Sequence, residues 1–139
     1  MRVLFDTNVI LDVLLDRNPF SEDAARCLSM AESGEIEGWL CASTVTTLHY
    51  LIRKSAGGRN ALDAISLLLS LCEIAPVNKT VLESALRLPF KDFEDAVLHE
   101  SARHSGIDVI VTRNTADFKH STIPVQFPET LLQKLETLK

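Results

Sequence analysis

MRVLFDTNVILDVL, residues 1–14, divides at Asp6. Before it, Arg2-Val3-Leu4-Phe5 reads as a short buried β-strand; after it, Asp6-Thr7-Asn8 leads into a helical run, Val9–Leu15. Thr7 or Asn8 can cap that helix, and Asp6 favours its positive N-terminus. The same carboxylate has a second possible use. In open α/β sheets, ligands bind outside the carboxyl ends of the strands, and Asp6 stands at one such end. The choice between the two turns on whether other carboxylates arrive at the same place.

Outward from this stretch, helical and strand patterns alternate. Arg17-Asn18-Pro19-Phe20 makes a turn, and Ser21 is a credible N-cap for a helix through about Ser33 that Gly34 ends. Gly38–Ala42 is short and apolar, a second strand. Ser43 or Thr44 starts a helix through about Lys54 with Val45, Leu48 and Ile52 on one face, and Ser55–Gly58 breaks it. Asn60–Leu71 forms a helix whose broad apolar face includes Leu62, Ile65, Leu68 and Leu69. Glu73–Val77 reads as an edge strand because of Pro76, and Asn78 caps Lys79–Arg87. Asp92 opens a helix to about His104, closed by Gly106. Asp108–Thr112 is the clearest strand, Ile123–Phe127 a last short one, and Pro128 precedes a C-terminal helix, Glu129–Leu138. This alternation predicts one α/β domain over residues 1–139: a three-layer α/β/α sandwich around a mostly parallel sheet of four or five short strands.

The 14 basic and 19 acidic residues leave a net charge of −5, which counts against tight autonomous binding to nucleic acid. It is compatible with an enzyme whose carboxylates gather around metal ions. Cys27, Cys41 and Cys72 lack ligand spacing, which argues against a zinc site and predicts reduced thiols in a cytoplasmic protein. No apolar stretch is long enough to span a bilayer, so no membrane association is expected. Asp6 follows only five residues, leaving no room for a signal peptide in this sequence.

In a parallel sheet the carboxyl ends share one edge. Asp6 follows the first strand, and Arg113–Asp117 follows the strand ending at Thr112. The helix opened by Asp92 points its N-terminus to that edge, with Asp92, Asp95 and His99 on one stripe. Three segments thus bring Asp6, Asp95 and Asp117 together. Singly, each can be explained as a cap or turn residue, and for Asp92 the helix N-terminus is the preferred explanation. Jointly, like charges repel unless a cation or protons compensate. An oxygen-only cluster suits Mg²⁺ or Mn²⁺, which can polarise a phosphoryl oxygen and activate water.

On Val3-Leu4-Phe5-Asp6-Thr7-Asn8, Asp92-Phe93-Glu94-Asp95-Ala96, and Val111-Thr112-Arg113-Asn114 with Asp117-Phe118, the chain resembles the PIN-domain family. These are metal-dependent ribonucleases that include VapC-like toxins of bacterial toxin–antitoxin pairs. The resemblance implies Asp6, Asp95 and Asp117 as catalytic metal ligands for Mg²⁺ or Mn²⁺. It implies Thr7, Asn8, Thr112 and Asn114 as supporting hydrogen-bonding residues, RNA as substrate, a homodimer and an antitoxin partner. Asp92 is a further supporting candidate. Among the basic residues near the site, Arg113 is the one expected to contact substrate phosphate.

One position departs from the family pattern. The helix after the second strand usually presents an acid where this chain has His49. Imidazole is a poor Mg²⁺ ligand, so His49 is expected to sit partly buried at the rim of the site, with metal binding weakened unless Asp92 or Glu94 compensates. That departure motivates the alternative, an inactive PIN scaffold that binds RNA or a protein. A phospho-receiver domain ranks behind both, since it would need an acidic pair after the first strand.

Overall fold

A computed structural model describes residues 1–138 of the chain. Its strands are β1 (Arg2–Phe5), β2 (Glu37–Cys41), β3 (Glu73–Ala75), β4 (Val109–Val111) and β5 (Val125–Gln126). They form one five-stranded sheet in the order β3-β2-β1-β4-β5, and every pairing is parallel. β3, followed by Pro76, is an edge strand as expected. β1 is central, which puts its carboxyl end, Asp6, in the middle of the site edge.

Side chains alternate across a strand, and each face is covered by helices. Val3, Phe5, Leu40, Val109 and Val111 pack under α1 (Thr7–Leu14), α2 (Ser21–Ser33), α3 (Ala42–Ala56), α4 (Gly58–Leu71) and α7 (Pro128–Thr137). Leu4, Cys41, Ala75 and Ile110 face the other way, onto Leu98 and Ala102 of α6 (Phe93–His104). α5 (Lys79–Ala85) packs on α6 through Val81, Ala85, Ala96 and Val97. The three-layer α/β/α architecture follows.

Several local expectations need correction. Asp6 itself is the N-cap of α1, its Oδ1 accepting from the Thr7 N–H at 2.7 Å; neither Thr7 nor Asn8 takes that role. Ser21 lies inside α2, its hydroxyl donating to Asn18 Oδ1 at 3.1 Å. α4 begins at Gly58, because Gly57 (φ 90°) alone reverses the chain after α3. Asn78 and Asp92 do cap α5 and α6, accepting from Val81 and Glu94. In α4 only Ala61 and Leu68 are fully buried, while Leu62, Leu67 and Leu69 are more than half exposed. The apolar face of α4 is therefore wider than the core it covers.

Gly38 of β2 lets α2 approach the sheet closely. A Cβ there would stand 2.9 Å from Ala31 Cβ of α2, 3.2 Å from Cys72 Sγ and 3.3 Å from the Phe5 ring. Gly38→Ala is expected to destabilise the fold by ~1–3 kcal/mol through overpacking, measured as a lower urea midpoint with an unchanged slope.

Candidate active site

Asp6 closes β1 with its N–H bonded to Val111 O at 2.9 Å, and its carboxylate is 7% exposed. Oδ2 accepts from the Thr112 hydroxyl at 2.8 Å and, at a long 3.4 Å, from Asn8 Nδ2. Thr112 Oγ1 in turn accepts from Asn8 Nδ2 at 3.3 Å and from the Asn114 N–H at 3.0 Å. Asn8 Oδ1 accepts from the Arg113 N–H at 3.2 Å, and Thr7 Oγ1 donates to Thr44 Oγ1 at 3.1 Å. A hydrogen-bonded lattice thus ties the end of β1 to the end of β4. Asn8 and Thr112 enter it through their side chains, Thr7 and Asn114 through their main-chain N–H groups, while the Thr7 hydroxyl ties α1 to α3.

The acids arrive from separate elements. Asp92 and Asp95 come from the start of α6, and Asp117 comes from a 3-10 turn, Thr115–Phe118. With Asp6, Thr7, Asn8, Glu94, Thr47, Arg17, Arg113 and Asn114 they line an open cleft of about 360 Å³. Burial, followed by the charges of Asp6, Asp92, Asp117 and Glu94, pushes the Asp95 carboxyl up to about 7. Every influence on it acts in the same direction. Asp6 is also raised, chiefly by burial, with the Thr112 and Thr7 hydrogen bonds opposing and Glu94 and Asp117 adding to the rise. Among the described residues, no three His, Cys, Asp or Glu side chains close up into a ready-made metal cage. The acids line the cleft as separate groups, and side-chain movement would have to bring them onto one ion.

Sequence reasoning misplaces or omits several groups. His49 is partly buried as expected but is absent from the cleft wall, where α3 presents Thr47. Two residues turn a helix by about 200°, so the two positions cannot face the same way. Glu94, one of the two acids able to compensate for His49, does line the cleft, its Oε1 3.5 Å from the Thr47 hydroxyl. His99, predicted on the stripe of Asp92 and Asp95, is buried instead. Its Nε2 accepts from the Thr122 N–H at 3.1 Å, so Nδ1–H donates to Glu100 Oε2 at 3.1 Å. Burial lowers its pKa, and the neutral ring pins the loop after Asp117 to α6. Asp12, 1% exposed, holds Arg17 and Arg113 at the cleft wall. Its signal was a carboxylate inside the apolar run Val9–Leu14, a pattern that demands a partner.

The Thr112 hydroxyl is buried and holds Asp6 toward its ionised form. Thr112→Val should raise the Asp6 pKa further and move the acid limb of any pH–rate profile to higher pH. Activity at pH 7 is expected to fall roughly tenfold, the scale of one hydrogen bond to a charged group.

Fold and cleft define a parallel α/β/α domain with clustered carboxylates at the end of its central strand. A family model described as PIN domain matches residues 2–116, and the chain belongs to the PIN domain family. It is similar to Ribonuclease VapC1 of Aquifex aeolicus (strain VF5), 25% identical over 142 residues, covering 99% of this chain and 97% of that protein. A solved toxin–antitoxin complex from Klebsiella pneumoniae is similar at 25% identity and TM-score 0.68, over 91% of this chain and 97% of the other. VapBC2 from Rickettsia felis, bound to a DNA fragment from its promoter, shares the fold at 16% identity and TM-score 0.71, over 91% of this chain and 99% of that one. Among the described residues, no helix is long and apolar enough to cross a membrane.

Proposed function

We propose that this chain is a divalent-cation-dependent endoribonuclease that hydrolyses RNA phosphodiester bonds and serves as the toxin of a toxin–antitoxin pair. The observation that carries the reading is the gathering of Asp6, Asp95 and Asp117 around one cleft at the carboxyl end of the central strand. The chain's similarity to Ribonuclease VapC1 across nearly its full length supports the choice of RNA.

The donor set is all oxygen, which fits Mg²⁺ or Mn²⁺ rather than zinc or copper. Asp6, Asp95 and Asp117 would hold the ion, with Glu94 supplying the acid that α3 lacks. A bound cation would polarise the phosphoryl oxygen and lower the pKa of a coordinated water. Thr112, Asn8 and Thr7 orient Asp6 so that its carboxylate presents to the cleft, and Asp92 fixes the start of α6 and hence Asp95. Arg113 contacts substrate phosphate. The exposed Leu62, Leu67 and Leu69 of α4 supply an apolar surface for a homodimer, and the antitoxin is the further protein partner. The buried free thiols Cys27, Cys41 and Cys72 suit a reducing cytoplasm.

The inactive-scaffold reading rests on His49, and Glu94 at the cleft weakens it. The test is RNA cleavage by the purified protein in Mn²⁺, in Mg²⁺ and in EDTA, beside Asp6→Asn. Cleavage is expected with a divalent cation only and is expected to fall by about 100-fold or more in the variant. Cleavage in EDTA, cleavage retained by Asp6→Asn, or none with either metal would sink the proposal.

A further inference from the structure

Asp12 differs from the other acids of this region. It projects from the buried side of α1, beside Val9, Ile10 and Leu11, and water does not reach it. Two guanidiniums cover it. Arg17 Nε lies 2.8 Å from Oδ1; Arg113 Nε lies 2.6 Å from Oδ2, and its Nη2 lies 3.2 Å from Oδ1. Arg17 Nη2 also donates to the Asn8 carbonyl at 3.2 Å, and the Arg113 guanidinium sits over the Phe20 ring, 3.9 Å from its centroid. Each arginine is thereby fixed by a second contact besides the carboxylate.

A buried carboxylate needs one cation for neutrality. Here two share it, leaving one positive charge in excess in a chain of net charge −5. The arginine side chains stay 40% and 27% exposed, and both line the cleft that holds Asp6, Asp95 and Asp117. A guanidinium carries more N–H donors than these bonds use, so both keep donors for an oxyanion. Freed from Asp12, two flexible cations beside this many carboxylates would be drawn onto the acids themselves. Asp12 keeps them at the wall.

We propose that Arg17 and Arg113 form a paired clamp for the RNA phosphate next to the one at the acidic cleft, with Asp12 as their positioning residue. The proposal deepens the ribonuclease reading and rests on it. Guanidinium pairs suit this task because they meet phosphate oxygens with directed N–H bonds, and such contacts set the register of a strand without reading its bases.

The experiment measures binding of a fluorescently labelled single-stranded RNA to Asp95→Asn protein across a series of KCl concentrations. The same titration is run with Arg17→Gln, Asp12→Asn or Asp12→Glu added. Arg17→Gln leaves Asp12 paired with Arg113, so the fold should hold, as its melting curve will show. The expected result is an affinity about tenfold lower and a slope of log affinity against log salt smaller by ~0.7, the effect of one phosphate contact on a single strand. Asp12→Asn should lose affinity although both arginines remain, and Asp12→Glu should recover part of it. Unchanged affinity and slope in Arg17→Gln, or in a folded Asp12→Asn, would overturn the clamp and leave a structural ion pair. So would failure of Asp95→Asn to bind RNA at all. Cleavage by the unsubstituted protein is scored separately. Cleavage with unaltered binding in Arg17→Gln overturns the clamp alone, whereas no cleavage with the expected binding losses removes the ribonuclease reading and keeps the clamp.

Discussion

Asp95→Asn is expected to abolish metal-dependent cleavage and, at the same time, to raise the melting temperature of the metal-free protein at pH 8. The Asp95 carboxyl is pushed up to about 7 by burial and by Asp6, Asp92, Asp117 and Glu94. Because its folded pKa lies above its unfolded one, the folded protein binds more protons between about pH 4 and pH 7. Stability therefore falls as pH rises through that window and is flat above it. Above pH 7 the ionised carboxylate costs about 1–2 kcal/mol, one pKa unit being worth about 1.4 kcal/mol before allowing for solvent around a part-exposed group. Asparagine keeps the shape and cannot ionise, so it removes this cost.

The measurement is a series of melting curves in EDTA from pH 4.5 to 8.5. The variant should lie on the order of 5 °C above the parent at pH 8, and the gap should narrow steadily as pH falls from 7 toward 4. A variant that melts below the parent at pH 8 would contradict the picture of uncompensated repulsion. Mn²⁺ should raise the parent's melting temperature, by the equivalent of about 2.7 kcal/mol at a hundredfold excess over its dissociation constant, and leave the variant nearly unmoved.

Asp12→Ala should be the most destabilising single substitution near the cleft. Breaking a buried pair by removing one partner typically costs ~3–5 kcal/mol. Arg17 and Arg113 are part-exposed and can rehydrate, which places the expected loss near the lower end, about 3 kcal/mol. That is a large share of the ~5–15 kcal/mol that holds a domain together. Urea denaturation gives the value. Asp12→Asn, which keeps the volume and one acceptor, should cost less than Asp12→Ala. A loss below about 1 kcal/mol for the alanine variant would mean that the pair contributes no more than an exposed one does.

What the chain reveals before folding is whatever depends on local pattern. Val3-Leu4-Phe5 and Val109-Ile110-Val111 are apolar without interruption because both faces of a parallel strand are covered. Gly34 and Gly106 end their helices because each takes a positive φ, 84° and 67°. Strand-end logic brings Asp6 and Asp117 to one edge, since all carboxyl ends of a parallel sheet lie together, and the direction of α6 brings Asp95 there from its first turn. Rotation of a helix about its own axis is another matter. Whether α3 turns Thr47 or His49 to the cleft, whether α4 buries Leu68 or Leu62, and whether His99 follows Asp95 outward are settled by packing against the sheet.

The same holds for pairings across long sequence separations. Asp6 caps α1 with one oxygen while Thr112, 106 residues later, donates to the other. Asp12 finds Arg113 at a separation of 101. The strands, the helices and the carboxylate edge around Asp6 were written in the sequence, because neighbouring residues determine them. The partners of Asp6 and Asp12 were decided only in the folded molecule, because they depend on which surfaces close against each other.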